Sequence, residues 1–195
     1  MDAPQLHRLF FAIFLDADAA SATVELARQL KLQHQLRGKL QPAERLHVTL
    51  HWLRDHETLP PELVRLAKTA GSRAADGAAP FEVLFDRAES LGRADEPGKR
   101  PLVLTGGKGL AALRAFQRIL GGAMSDAGIG RYARSAFKPH VTLLRDETFV
   151  PAHAVRPVRW HVRELALIDS WQGRGRYDVL GSWPLTSRQA ALGPW

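Results

Sequence analysis

The chain has 195 residues, 45% of them hydrophobic and 24% charged, and no cysteine. This describes a soluble protein that can bury a sizeable core, and the missing thiols exclude disulfides, thiolate metal ligands and cysteine nucleophiles. The net charge of +7 is uneven: Met1–Pro97 carries 12 basic and 14 acidic residues, Gly98–Trp195 carries 15 and 6, a field that favours a polyanion, nucleic acid before an acidic membrane surface.

In chain order, the nearly continuous apolar run Arg8–Leu15 predicts a buried strand ending at Asp16. Ala22, Leu26 and Leu30 place an amphipathic helix over about 18–35, stopped by Gly38. Leu46–Leu53 alternates, with His47, Thr49, His51 and Leu53 on one face and Leu46, Val48, Leu50 and Trp52 on the other. Pro60-Pro61-Glu62 opens a second helix through about Ala75, with Leu63, Leu66 and Ala70 on one side. Phe81–Phe85 and Leu102–Leu104 read as strands around a Gly/Pro and charge-rich loop at Ser90–Arg100. Leu110, Leu113, Phe116 and Leu120 mark a third helix. Phe137–Leu144 is a strand, Val158–Ile168 alternates as another, and Tyr177–Trp183 pairs with it. The tail 187–195 is expected to be loose. This order predicts an α+β fold of two lobes forming one domain, each a small, mostly antiparallel sheet backed by helices. No apolar run reaches the roughly 18 residues of a membrane span, and the N-terminus lacks the order of a signal peptide; a cytoplasmic protein is expected.

The word His-Val-Thr-Leu occurs twice, at 47–50 and at 140–143. In a strand, residues i and i+2 share a face, so each imidazole lies beside a hydroxyl while Val and Leu pack the other way. One histidine can take a proton while the other gives one, the pairing that phosphate-ester cleavage near neutral pH needs. The flanks repeat in part: both words run into Arg-Asp and then Glu-Thr, at Arg54-Asp55 and Glu57-Thr58 and at Arg145–Thr148, and both are preceded by a proline, Pro42 and Pro139. Two halves built on one plan are indicated.

These words, the opening Arg8–Ile13, Phe137-Lys138-Pro139 with Arg145 beyond, and the closing Ser170, Tyr177 and Trp183-Pro184-Leu185 resemble the two-histidine phosphoesterases, and within them the bacterial RNA 2′,3′-cyclic phosphodiesterases. The chain has Trp52-Leu53-Arg54 where members commonly have Phe-Leu-Gly, and Leu144 where a small residue is common. The resemblance implies a bilobal fold with pseudo-two-fold symmetry, each lobe presenting one His-x-Thr strand to a central cleft. It also implies that His140 acts as general base on a water, that His47 as general acid protonates the departing ribose 3′ oxygen, and that Thr49 and Thr142 hold the nonbridging oxygens, leaving a 2′-phosphomonoester. No metal or cofactor is required, the reverse reaction is 2′-5′ RNA ligation, and a monomer without an obligate protein partner is expected, acting on RNA or nucleotide 2′,3′-cyclic phosphate ends.

Tyr177, Phe11 and Trp171 are candidates for stacking a base. His51, sharing a predicted face with His47, makes a His-x-x-x-His metal site conceivable. Arg145 falls on the face opposite His140 if its strand is regular, which suits a salt bridge with Asp146 or a neighbour at least as well as a phosphate contact. Two other readings remain: a phosphodiesterase of another small cyclic or 2′-5′ phosphoester, such as ADP-ribose cyclic phosphate, and a noncatalytic RNA-binding module using the basic half.

Overall fold

The computed structural model describes residues 5–186; the predicted loose tail, 187–195, lies outside them. Eight strands and three α-helices follow in the order β1 (His7–Phe14), α1 (Ala17–Gln33), β2 (His47–His56), α2 (Pro61–Asp76), β3 (Phe81–Ser90), β4 (Arg100–Thr105), α3 (Ala111–Asp126), β5 (Val141–Asp146), β6 (His153–Val162), β7 (Glu164–Trp171) and β8 (Arg176–Pro184). They form two four-stranded sheets, β2-β1-β7-β8 and β5-β4-β3-β6, antiparallel throughout. The pseudo-two-fold α+β arrangement is therefore present. In each half a strand, a helix and a second strand (β1–α1–β2 and β4–α3–β5) leave the motif strand at the edge of its sheet, and the two edges, β2 and β5, touch.

The helices form where the apolar spacing put them. Asp16 caps α1 by accepting the Ala19 N–H at 2.9 Å. Its buried stripe runs through Ala19, Ala20, Thr23, Leu26, Ala27 and Leu30, one position away from the expected Ala22, which is exposed. Pro61 starts α2, where a missing N–H costs nothing. Helix α1 leaves the first sheet and packs on β5 and β6 of the second, whereas α2 covers β7 and β8 of the first. Each sheet thereby buries one face, and the core joins both.

Two expectations are corrected. The stretch 158–168 is two strands, not one: Val158, Trp160 and Val162 are buried in phase, then Leu165 and Leu167 are buried in the opposite phase. The slip at Arg163-Glu164 is where the chain leaves the second sheet for the first. Strand β5 begins at Val141, so His140 stands just ahead of it.

The motif strands are also irregular, and in the same place. Thr49 pairs with Ala12 and His51 with Phe11, leaving Leu50 as an extra residue; Thr142 pairs with Val103 and Leu144 with Leu102, leaving Leu143 extra. A bulge after the Thr of each word reverses the alternation beyond it. His51 and Leu53 therefore turn into the core, 1% and 0% exposed. A second extra residue lies between Trp52 and Asp55, where Arg54 has φ 75°. This left-handed backbone favours glycine, and it falls where the resembling family has Gly.

Asp146 ties the α1–β2 connection to the end of β5. One carboxylate oxygen accepts the N–H groups of Arg37 (2.6 Å) and Gly38 (2.7 Å), the other that of Thr148 (2.9 Å). Beside it the Gln41 N–H donates to the Leu143 carbonyl at 2.7 Å. A Cβ on Gly38 would lie 2.2 Å from the Arg145 carbonyl oxygen, so only glycine fits.

Two stability outcomes are expected. Arg54→Gly relieves the left-handed strain, about 1–2 kcal/mol, against an entropic penalty of about 0.5–1 kcal/mol, and should raise urea stability by about 0.5–1 kcal/mol; a lower midpoint would contradict the strain. Burial pushes Asp146 up, but the N–H groups of Thr148, Gly38 and Arg37 together outweigh it and bring its pKa down to about 2 from 3.8. A depressed carboxylate stabilises the fold above its unfolded value and loses that contribution as pH falls toward its folded one. Asp146→Asn should therefore cost about 2 kcal/mol at pH 7, with the gap from wild type closing between pH 4 and 2 in urea titrations; a gap independent of pH would refute the assignment.

Candidate active site

The two motif histidines are held alike. His47 Nδ1–H donates to the Arg45 carbonyl at 2.7 Å and His140 Nδ1–H to the Lys138 carbonyl at 2.9 Å, each reaching back two residues. A carbonyl only accepts, so the neutral ring keeps its proton on Nδ1 and leaves the Nε2 lone pair for chemistry. His47, His140, Thr49 and Thr142 line one cavity of about 580 Å³ between the sheets.

Because of the bulges, the residue five beyond each histidine also enters this cavity, Trp52 on one side and Arg145 on the other. Arg145 is thus on the cleft side, correcting the expectation that it faces away. The salt bridge expected with Asp146 does not form, since that carboxylate is taken up by backbone N–H groups. Arg8 and Arg45 also line the cavity, together with Gln41, Ser170 and Gln172. Arg8 is neutralised by a bidentate pair with Asp55 (2.8 and 2.7 Å), which also accepts the Trp52 indole N–H at 3.1 Å. The Asp55 carboxyl is held below its usual range by Arg8. Neither Arg45 nor Arg145 enters any of the ion pairs among the described residues, and no Asp or Glu lines the cavity. Its charge favours an anion.

The halves differ in what surrounds each ring. His47 is stacked on Phe10 (centroids 5.2 Å, 27° between planes), with Phe14 at 5.6 Å and Tyr177 edge-on at 5.8 Å. Burial lowers the His47 pKa; the bond to the Arg45 carbonyl resists, and the nearby His140 and Arg45 charges push the same way as burial. His140 makes none of the ring contacts that enclose His47.

Of the stacking candidates, Tyr177 lines the cavity. Phe11 does not: it is 0% exposed and packs toward Trp183 in the core, because Leu9, Phe11 and Ile13 form the helix-covered face of β1. Its neighbour Phe10 takes the cleft face, with Ala12, Ala166 and Ile168 as an apolar floor. Trp171 lies outside the cleft, against His7 and Arg176, its indole N–H donating to Asp178 at 2.9 Å. His51 is no metal ligand: Nε2–H donates to the Gln117 carbonyl at 3.0 Å and Nδ1 accepts the Arg134 N–H at 3.3 Å, so both ring nitrogens are engaged in tying β2 to α3 and to the segment before β5. Sequence reasoning missed Arg45 as a cleft residue. The available signal was a basic residue two before each motif histidine, Arg45 and Lys138.

Solved structures of the same fold are found among known proteins. TT0787 of Thermus thermophilus superposes with a TM-score of 0.72 at 26% identity, over 93% of this chain and 99% of that one. E. coli LigT in apo form gives 0.67 at 27% identity, over 93% and 99%. The MHV ns2 PDE domain, at 15% identity and TM-score 0.52 over 89% of this chain and 97% of that one, shares the fold. No curated protein sequence matches the chain at a significant level. The model of the 2′-5′ RNA ligase superfamily matches residues 16–174, a span that holds both His-Val-Thr-Leu words, the whole second sheet and strands β2 and β7 of the first, and the chain belongs to that superfamily of two-histidine phosphoesterases.

Proposed function

We propose that this phosphoesterase hydrolyses RNA or nucleotide 2′,3′-cyclic phosphate ends to 2′-phosphomonoesters, without a metal, and that the same residues run 2′-5′ ligation in reverse. The observation that carries this reading is the pair of identically tethered imidazoles, each with its Thr, opening on one cationic cavity. E. coli LigT has been crystallised with 3′-AMP and with phosphate, ligands of the chemistry expected here.

In this mechanism the neutral His140 Nε2 takes a proton from water as it attacks the cyclic phosphorus, while protonated His47 gives its Nε2 proton to the leaving 3′ oxygen. Thr49 and Thr142 donate to the nonbridging oxygens, and Arg145 offsets the charge that accumulates on them. Trp52 and Tyr177, the latter with the Arg45 guanidinium over its ring, line the cavity where a base would lie. Burial among Phe10, Phe14 and Tyr177 favours neutral His47 in the free protein; the negative charge of a bound phosphate favours the imidazolium and restores the acid. That burial is also the one observation for the opposite assignment, with His47 as base and His140 as acid.

Purified protein in EDTA should open adenosine 2′,3′-cyclic phosphate and a cyclic-phosphate RNA end, with adenosine 2′-phosphate as the nucleotide product. His47→Ala and His140→Ala should each lower turnover by about a hundredfold or more; full activity in either folded variant would sink the mechanism. A cyclic phosphorothiolate with sulfur at the 3′ bridging position separates the roles, because a thiolate leaves without a proton. On it His47→Ala should recover most of its activity and His140→Ala should not; the reverse pattern would exchange acid and base.

A further inference from the structure

Two basic residues stand at matching places, two positions before each motif histidine, and only one is neutralised. Lys138 Nζ lies 3.0 Å from Glu89, which also accepts the Thr105 hydroxyl at 3.0 Å. Arg45 takes part in none of the ion pairs among the described residues. Its guanidinium lies over the Tyr177 ring, 4.3 Å from the centroid, beside Gly175 of the β7–β8 turn. Its Nε is buried without a hydrogen-bond partner. A buried N–H of a charged group left unsatisfied is costly, and a guanidinium fixed on an aromatic face has already lost much of the freedom that binding an anion would otherwise remove. The Arg45 guanidinium thus stands beside His47 and Tyr177, in the same cavity as Thr142 and Arg145 but carried by the chain just ahead of β2 rather than by β5.

Resting on the phosphodiesterase reading above, with His47 as acid, the chemistry states which anion belongs there. The oxygen that His47 protonates stays on the ribose, so the terminal nucleoside must lie on the His47 side of the reacting phosphorus. That nucleoside carries one further phosphate whenever it ends a chain, the one on its 5′ oxygen. We infer that Arg45, held on Tyr177, binds the 5′-phosphate of the terminal nucleotide, so that the site selects the end of an oligonucleotide, or a 5′-phosphorylated nucleotide, over a bare nucleoside cyclic phosphate.

The test compares kcat/KM for adenosine 2′,3′-cyclic phosphate and for the same compound carrying a 5′-phosphate. Wild type should prefer the 5′-phosphorylated substrate by about ten- to a hundredfold, the range of one charge-assisted hydrogen-bonded contact. Arg45→Ala should bring the ratio close to one, and Arg45→Lys should keep part of it. A wild-type ratio near one, a ratio unchanged in Arg45→Ala, or an equal loss on both substrates would overturn the inference, the last by placing Arg45 on the reacting phosphate. Calorimetric titration with adenosine 2′,5′-bisphosphate and with adenosine 2′-phosphate reads the same preference without turnover. If wild type turned over neither substrate, the phosphodiesterase reading would fall, while loss of the bisphosphate preference in Arg45→Ala would still sustain the 5′-phosphate site.

Discussion

One extra residue in each motif strand sets the composition of the cleft. Without the bulges at Leu50 and Leu143, the alternation of β2 and β5 would carry His51 into the cavity and turn Trp52 and Arg145 away from it. With them, each strand presents three groups in the same order: an imidazole, a hydroxyl and, five residues past the imidazole, a large side chain. Both strands are sheet edges, and edge strands tolerate such irregularity because one side of the ladder is free of a partner. Setting the two edges against each other covers them and at the same time faces the two triplets across one space. The Leu143 carbonyl, on the extra residue itself, is satisfied from the other half by Gln41.

Symmetry of the tethers coexists with asymmetry of the surroundings. Both imidazoles are oriented by the same backbone bond, so orientation cannot distinguish their roles. Burial can. The aromatic floor of the first sheet, Phe10 with Phe14 and Tyr177, removes water from His47, whereas His140 has a basic neighbour already compensated by Glu89. That burial lowers the proton affinity of His47 in the free protein. Arg45 acts in the same direction through its own charge, which ties the protonation of His47 to whatever anion the guanidinium holds.

The elements and the two histidines were legible because they rest on local pattern. Leu110, Leu113, Phe116 and Leu120 announced α3, and the repeated His-Val-Thr-Leu announced both halves of the site. What was not legible depended on phase. A continuous apolar run such as Leu9–Ile13 is consistent with either face, so Phe11 and Phe10 are told apart only by the structure, which puts Phe11 in the main core and Phe10 in the cleft-side cluster. A bulge changes phase without a reliable local signal, which misplaced His51, Trp52 and Arg145 together. The break at Arg163-Glu164 did leave a trace, since the alternating Val158, Trp160 and Val162 give way there to the unbroken apolar stretch Leu165–Ile168.

The departure from the family pattern at Trp52-Leu53-Arg54 acquires a physical reading once the second irregularity of β2 is included. The left-handed backbone at Arg54 shortens the path between Trp52 and Asp55, so that the Asp55 carboxylate both pairs with Arg8 and accepts the Trp52 indole N–H. An indole can be fixed in this way and a phenyl ring cannot, because only the indole carries a donor. Trp52 is further flanked by the guanidiniums of Arg8 and Arg134, at 6.0 and 5.3 Å from its ring. The strain retained at Arg54 therefore sits beside an aromatic wall anchored by a hydrogen bond. Any substrate group that meets this wall meets an indole held by its own N–H, with Arg8 already paired to Asp55 and Arg134 beside the ring.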